Sequence, residues 1–73
     1  MQIMRLTSRE SECLELAVQG KSSSDISVLL KISENTVNFH FKNAMKKLGT
    51  NRRSVAAIRA IELKLIAASP PRG

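Results

Sequence analysis

The chain has 73 residues, a mass of 8.1 kDa, a net charge of +6 and a pI near 10.3, with a single cysteine and a single histidine. At this size one core buries only about 60% of the surface of the unfolded chain, so a single domain over residues 1–73 is expected. One cysteine makes no internal disulfide, Cys13 and His40 make no metal cluster, and neither end carries the apolar run of a membrane span or a secretion signal. The expectation is a cytoplasmic protein without cofactor whose positive charge points to a polyanionic partner.

Thr7-Ser8-Arg9-Glu10 has the T-x-x-E form of a capping box and starts a first helix from about Ser8 to Gln19. Cys13, Leu14, Ala17 and Val18 recur on it at helical spacing, and Gly20 suits its left-handed end. Cys13 reads as a buried structural thiol rather than a redox sensor. Glu10 is able to pair with Lys47 or Arg53, although an exposed pair would contribute at most about 1 kcal/mol and capping alone would account for it.

Ser22 with Asp25 repeats the cap and opens a short second helix, Ser23 to Leu30, expected to bury Ile26, Leu29 and Leu30. After a turn at Lys31 and Ile32, Ser33 caps a third helix from Glu34 to Leu48, closed by Gly49. A fourth is expected from about Arg52 to Ile66, followed by a disordered tail at about 67–73. No segment alternates with the period of a strand. The fold class is all-α, four helices, with the short second helix, tight turn and longer third helix proportioned as a helix-turn-helix over about 23–48.

At about 100° per residue, Val37, Phe41, Ala44, Met45 and Leu48 share one sector of the third helix. Phe39 falls nearly opposite, among Asn35, Asn38, Lys42 and Lys46. An aromatic ring on that side is costly in water unless a partner covers it, and a DNA major groove would: Asn reads adenine, Lys reads guanine or a phosphate, and a ring lies against a thymine methyl. Packing of Phe39 on another domain or a second copy is the competing reading. Between Asn35 and Ile61 there are six basic residues and no acid, whereas Glu10, Glu12 and Glu15 crowd the first helix, the one-sided distribution expected of a nucleic-acid binder.

The segments LTSRE, GKSSSDIS, ISENTVNFH, KKLG and NRRSVAAIRAIELKLI resemble the LuxR/GerE-type four-helix DNA-binding domain over about Leu6 to Ile66. TVNFH is similar in particular to the quorum-sensing branch, whose members join this domain to an acyl-homoserine-lactone sensor. The resemblance implies base contacts from the positions of Asn38, Phe39 and Lys42, to which the helical wheel adds Asn35. It implies phosphate contacts from the start of the second helix, the start of the third and nearby basic residues. The candidates there are Lys21, Ser22, Ser24, Ser33, Thr36, His40, Lys46 and Arg53. It also implies dimer contacts through the fourth helix, whose second apolar stripe includes Ile58, Ile61 and Leu65. Burial of that stripe within the domain is the alternative. Arg52 stands where a small capping residue is common, Thr50 where an apolar residue is usual, and Lys64 where glycine is frequent.

The function expected is sequence-specific binding to duplex DNA by a transcriptional regulator, as a homodimer on an inverted-repeat operator, with half-sites about 34 Å apart. A module docking on RNA polymerase is the rival from another class. An enzyme is not expected, since the sequence offers no triad, carboxylate pair or phosphate loop. His40 lacks a nucleophile or orienting carboxylate nearby and reads as a packed residue or a phosphate contact. With no room for a ligand-binding or phospho-acceptor domain, the chain is expected to be a fragment of a larger regulator or a short stand-alone member.

Overall fold

A computed structural model of the chain describes residues 5–67, so the expected tail lies, from Ala68 onward, outside the described residues. Four helices follow in order: α1 (Ser8–Val18), α2 (Ser23–Leu30), α3 (Glu34–Leu48) and α4 (Arg53–Glu62). Each of the first three begins on a hydroxyl. Thr7 accepts from the Glu10 amide, Ser22 from that of Asp25 and Ser33 from that of Thr36, all at 3.1 Å, and the first two are full capping boxes. Asp25 is held ionised below the usual aspartate range, first by the backbone amide of Ser22 and then by its hydroxyl. α4 begins at Arg53, one residue after the expected start, and Arg52 before it makes no side-chain cap.

All four helices end alike. An amide just past the end reaches back to a carbonyl five residues earlier: Lys21 to Leu16, Ile32 to Ser27, Thr50 to Met45 and Leu65 to Ala60, at 2.8–3.1 Å. This reversal needs a left-handed residue. Gly20 and Gly49 supply it for α1 and α3, but Lys31 (φ 58°) and Lys64 (φ 60°) supply it for α2 and α4. The fourth helix therefore stops at Glu62, not near Ile66, and Leu65 lies beyond it.

α3 is the hub, packing on α1, α2 and α4, while α1 also packs on α4. Its inner sector matches the wheel: Val37, Phe41, Ala44 and Leu48 are buried and Met45 packs at the edge. Cys13 and Leu14 from α1, Ile26 from α2, the small Ala56, Ala57 and Ala60 from α4, and Ile66 close the core around Phe41. Burial, followed by the charge of Glu12, pushes the Cys13 thiol upward, the condition of an inert core thiol. Leu29, expected inside, is exposed, as is its neighbour Val28. An eight-residue helix that packs chiefly on α3 has one inner row, and Ile26 with Leu30 fills it.

Glu10 is more than a cap. It is buried, its carboxylate accepts from the Thr7 amide at 2.9 Å, and the Lys47 ammonium of α3 donates to the same oxygen at 2.7 Å. Burial alone would raise its pKa, but the Lys47 hydrogen bond, the Thr7 contacts and the Lys47 charge outweigh it and leave the carboxyl below the ordinary glutamate value. The pair ties α1 to the last turn of α3, in place of the dispensable exposed pair expected from sequence.

Candidate nucleic-acid interface

Phe39 and Phe41 lie two positions apart on α3 and take opposite fates: Phe41 is 1% exposed and Phe39 58%. Asn35, Asn38, Lys42 and Lys46 are exposed on the outward side of α3 with Phe39, and no ion pair among the described residues claims Lys42 or Lys46. The four expected base-contacting residues therefore share one open surface. Its middle is apolar and its edge cationic, the combination that suits base edges flanked by phosphates. His40 is half-buried beside it and stands edge-on to Phe39, with ring centroids 5.9 Å apart.

The cationic inventory divides more sharply than a count of basic residues implies. Of the six between Asn35 and Ile61, Lys47 is taken by Glu10, and Arg59 donates to the carbonyls of Leu48 and Gly49 at 2.7 and 2.8 Å, capping the C-terminus of α3. Arg53 is taken as well. Its guanidinium lies 4.1 Å from the centre of the Phe41 ring, donates to the Ser23 hydroxyl, and donates to Asn38 Oδ1 at 2.6 Å. Ser23 in turn donates to Asn38 Oδ1 at 2.9 Å. One arginine thus locks the starts of α2 and α4 to the outward face of α3. Lys42, Lys46 and Arg52 remain directed to solvent from this set, joined by Lys21 ahead of α2.

The other expected phosphate contacts are distributed unevenly. Lys21, Ser22 and Ser24 are exposed at the start of α2, where free amides and the helix dipole favour an anion. Asp25, however, already sits at that end in the capping box with Ser22. Ser33 and Thr36 bond each other at 2.9 Å and open α3, with Ser33 exposed and Thr36 half-buried. Ser23, not among the expected contacts, proves to be the serine tied into the helix junction. Its sequence signal was only its place in the run Ser22-Ser23-Ser24, since the partners are 15 and 30 residues away.

The dimer candidates also separate. Ile58 is exposed, Ile61 is half-buried against the core, and Leu65, past the end of α4, packs partly inside as well. A largely apolar groove of about 500 Å³ runs between the end of α1 and α4, lined by Ala17, Val18, Ala57, Ile58 and Ile61 with Lys21 and Arg53 at its rim.

The model of the bacterial regulatory protein family luxR (GerE) matches residues 4–60, most of the four-helix unit. The chain belongs to that family. Relatives of the luxR family agree with the assignment. The protein y4qH of Sinorhizobium fredii, described provisionally as a helix-turn-helix transcriptional regulator, is 59% identical over 88% of the chain and 20% of its own length. RhlR of Pseudomonas aeruginosa, a quorum-sensing regulator, is 48% identical over 84% of the chain and 26% of its own length. The chain thus spans about a fifth to a quarter of these curated relatives. The structure of the transcription factor GerE superposes with a TM-score of 0.82 at 42% identity, covering 88% of this chain and 96% of that one. The luxR family is one of regulatory proteins rather than enzymes, in line with the absence of catalytic constellations in the sequence.

Proposed function

We propose that this chain is the DNA-reading unit of a transcriptional regulator of the luxR family, with α3 in the major groove of a sequence-specific duplex site. The observation that carries the reading is Phe39, a large ring more than half exposed at the centre of a face otherwise made of Asn35, Asn38, Lys42 and Lys46. A solvent-facing ring there costs free energy unless a partner removes it from water, and bases offer both apolar and hydrogen-bonding surface. The start of α2 is tied to that face by the Ser23–Asn38 bond and the start of α3 belongs to the same helix, with Lys21 and Arg52 exposed as the cations for the phosphates. The whole regulator would respond to a signal through a sensor joined to this unit, as the quorum-sensing relative suggests.

The assembly is a homodimer on an inverted repeat, formed through the α1–α4 groove and the exposed Ile58. Ile58, free of the core, is the residue to change. Ile58→Asp weakens self-association in sedimentation without altering the circular dichroism spectrum, whereas an unchanged monomer-dimer balance removes this interface. For the main reading, titration with random duplex at two salt concentrations, followed by selection from a random pool, separates the outcomes. Salt-sensitive binding with a selected half-site supports it. Salt-insensitive behaviour with no selected sequence favours docking on RNA polymerase through Val28 and Leu29, both exposed on α2.

A further inference from the structure

Asn38 sits in the reading face, yet its side chain is not free to read as an ordinary asparagine does. Arginine only donates, so the amide atom facing Arg53 Nη2 at 2.6 Å is the oxygen. Ser23, accepting from Arg53 Nη1, must spend its own proton on that same oxygen at 2.9 Å. A carbonyl oxygen has two lone pairs, and both are taken. The donors are themselves anchored: Arg53 lies against the face of the buried Phe41 ring, and Ser23 is in the first turn of α2. What Asn38 presents outward is its Nδ2 group, two donors and no acceptor.

We infer that Asn38 reads the groove as a donor only, so that the base beneath it is one rich in acceptors, and that Ser23 and Arg53 are positioning residues that set this preference. The inference rests on the proposed placement of α3 in the major groove. Guanine offers O6 and N7, both acceptors, to the two amide protons, and thymine offers O4. Adenine offers N7 beside an N6 donor, which then has no acceptor to meet, and cytosine offers only a donor. The bidentate adenine contact for which asparagine is suited in general is closed to this one. The preference at that base pair is guanine first, then thymine, with adenine and cytosine disfavoured.

The test is selection from a random duplex pool with the full chain and with Asn38→Ala, Ser23→Ala and Ser23→Thr. Asn38→Ala flattens the preference at one base pair, which marks the position beneath the side chain. At that position the unaltered chain selects guanine or thymine over adenine. Ser23→Ala returns a lone pair to Oδ1 and raises adenine relative to guanine by about five- to tenfold there and nowhere else. Ser23→Thr keeps the hydroxyl and keeps the original preference, which separates positioning from a merely structural role that would weaken all sequences alike. Adenine selected by the unaltered chain at the marked position overturns the inference, as does a Ser23→Ala profile identical to the original or a Ser23→Thr profile like that of Ser23→Ala. If other positions are selected but Asn38→Ala flattens none, the inference fails while the DNA-binding reading stands. If no sequence is selected at all, both fall.

Discussion

The two faces of α3 are built from the same fifteen residues and obey different rules. Inward, Val37, Phe41, Ala44 and Leu48 are fixed by apolar periodicity, and each contributes by leaving water. Outward, Phe39 breaks that rule, and the polar residues around it are neither capped nor paired, except Asn38, which is held from outside its own helix. The contrast teaches that residues for folding and residues for recognition are separated here by rotation about one axis, with two phenylalanines as the clearest markers. Arg53 joins the two sets, stacking on the inner ring while holding an outer amide.

The largest effect expected on this contrast is at the inner ring. Phe41→Ala empties the centre of the core and removes the surface on which Arg53 rests, at a cost of about 3–5 kcal/mol. For a chain this small that is a large part of the total stability, and thermal melts followed by circular dichroism should show the transition lost or shifted far down. A melt close to that of the unaltered protein would mean that Phe41 does not organise the core.

Next comes the tie at the edge of the inner face. Lys47→Met leaves the buried Glu10 carboxylate with only its Thr7 partners and is expected to cost about 2 kcal/mol, within the range for hydrogen bonds to charged groups and discounted because the lysine is partly exposed. The sign of the pH dependence follows from the depressed carboxyl. Folding favours the ionised form, so the stabilisation is complete above the unfolded glutamate value of about 4.3 and is lost as pH falls through the lower folded value. Chemical denaturation between neutral pH and about pH 3 should therefore show the cost of Lys47→Met shrinking as the medium becomes acidic. A cost that stays constant would detach the effect from Glu10 ionisation.

The outer ring is expected to reverse the pattern. Phe39→Ala should leave the melting transition within about 0.5 kcal/mol of the original, as for a surface substitution away from caps and core. Its affinity for a selected duplex should fall by about 1–2 kcal/mol, the scale of one base contact. Stability lost in step with binding would place Phe39 with Phe41 rather than opposite it.

The inner face was legible because burial follows the helical period, and the first three helix starts because hydroxyl caps carry a local signature. The outer face was legible as a surface, since an aromatic ring out of phase with the apolar stripe signals itself. What escaped were the long-range uses of charge. The sequence offers Glu10 to Lys47 or Arg53 without choosing between them, and nothing near Arg53 or Arg59 tells that they are spent on Asn38 and Ser23 and on the carbonyls ending α3, so half of an apparently free basic set proves to be used within the fold. Leu29 escaped for a related reason: apolar identity does not reveal that a short helix packs chiefly on one neighbour.

The end of α4 escaped because lysine seldom holds the left-handed turn that stops a helix, and this suggests the smallest of the expected effects. α3 ends on Gly49 at φ 71° and α4 on Lys64 at φ 60°, with the same reversal of hydrogen bonds, so one is the natural control for the other. A side chain with a Cβ is strained in that region, whereas glycine is not, although glycine also loses more freedom on folding. At a helix end of this kind the strain outweighs that loss of freedom. Lys64→Gly should therefore stabilise the chain by about 0.5–1 kcal/mol, a rise of a few degrees in melting temperature. Gly49→Ala should cost a similar amount, because its Cβ would meet only the end of the Arg59 side chain at 3.5 Å and backbone strain is what remains. If Lys64→Gly lowered the melting temperature, the lysine would be making a contribution at the end of α4 that exceeds the strain of its backbone.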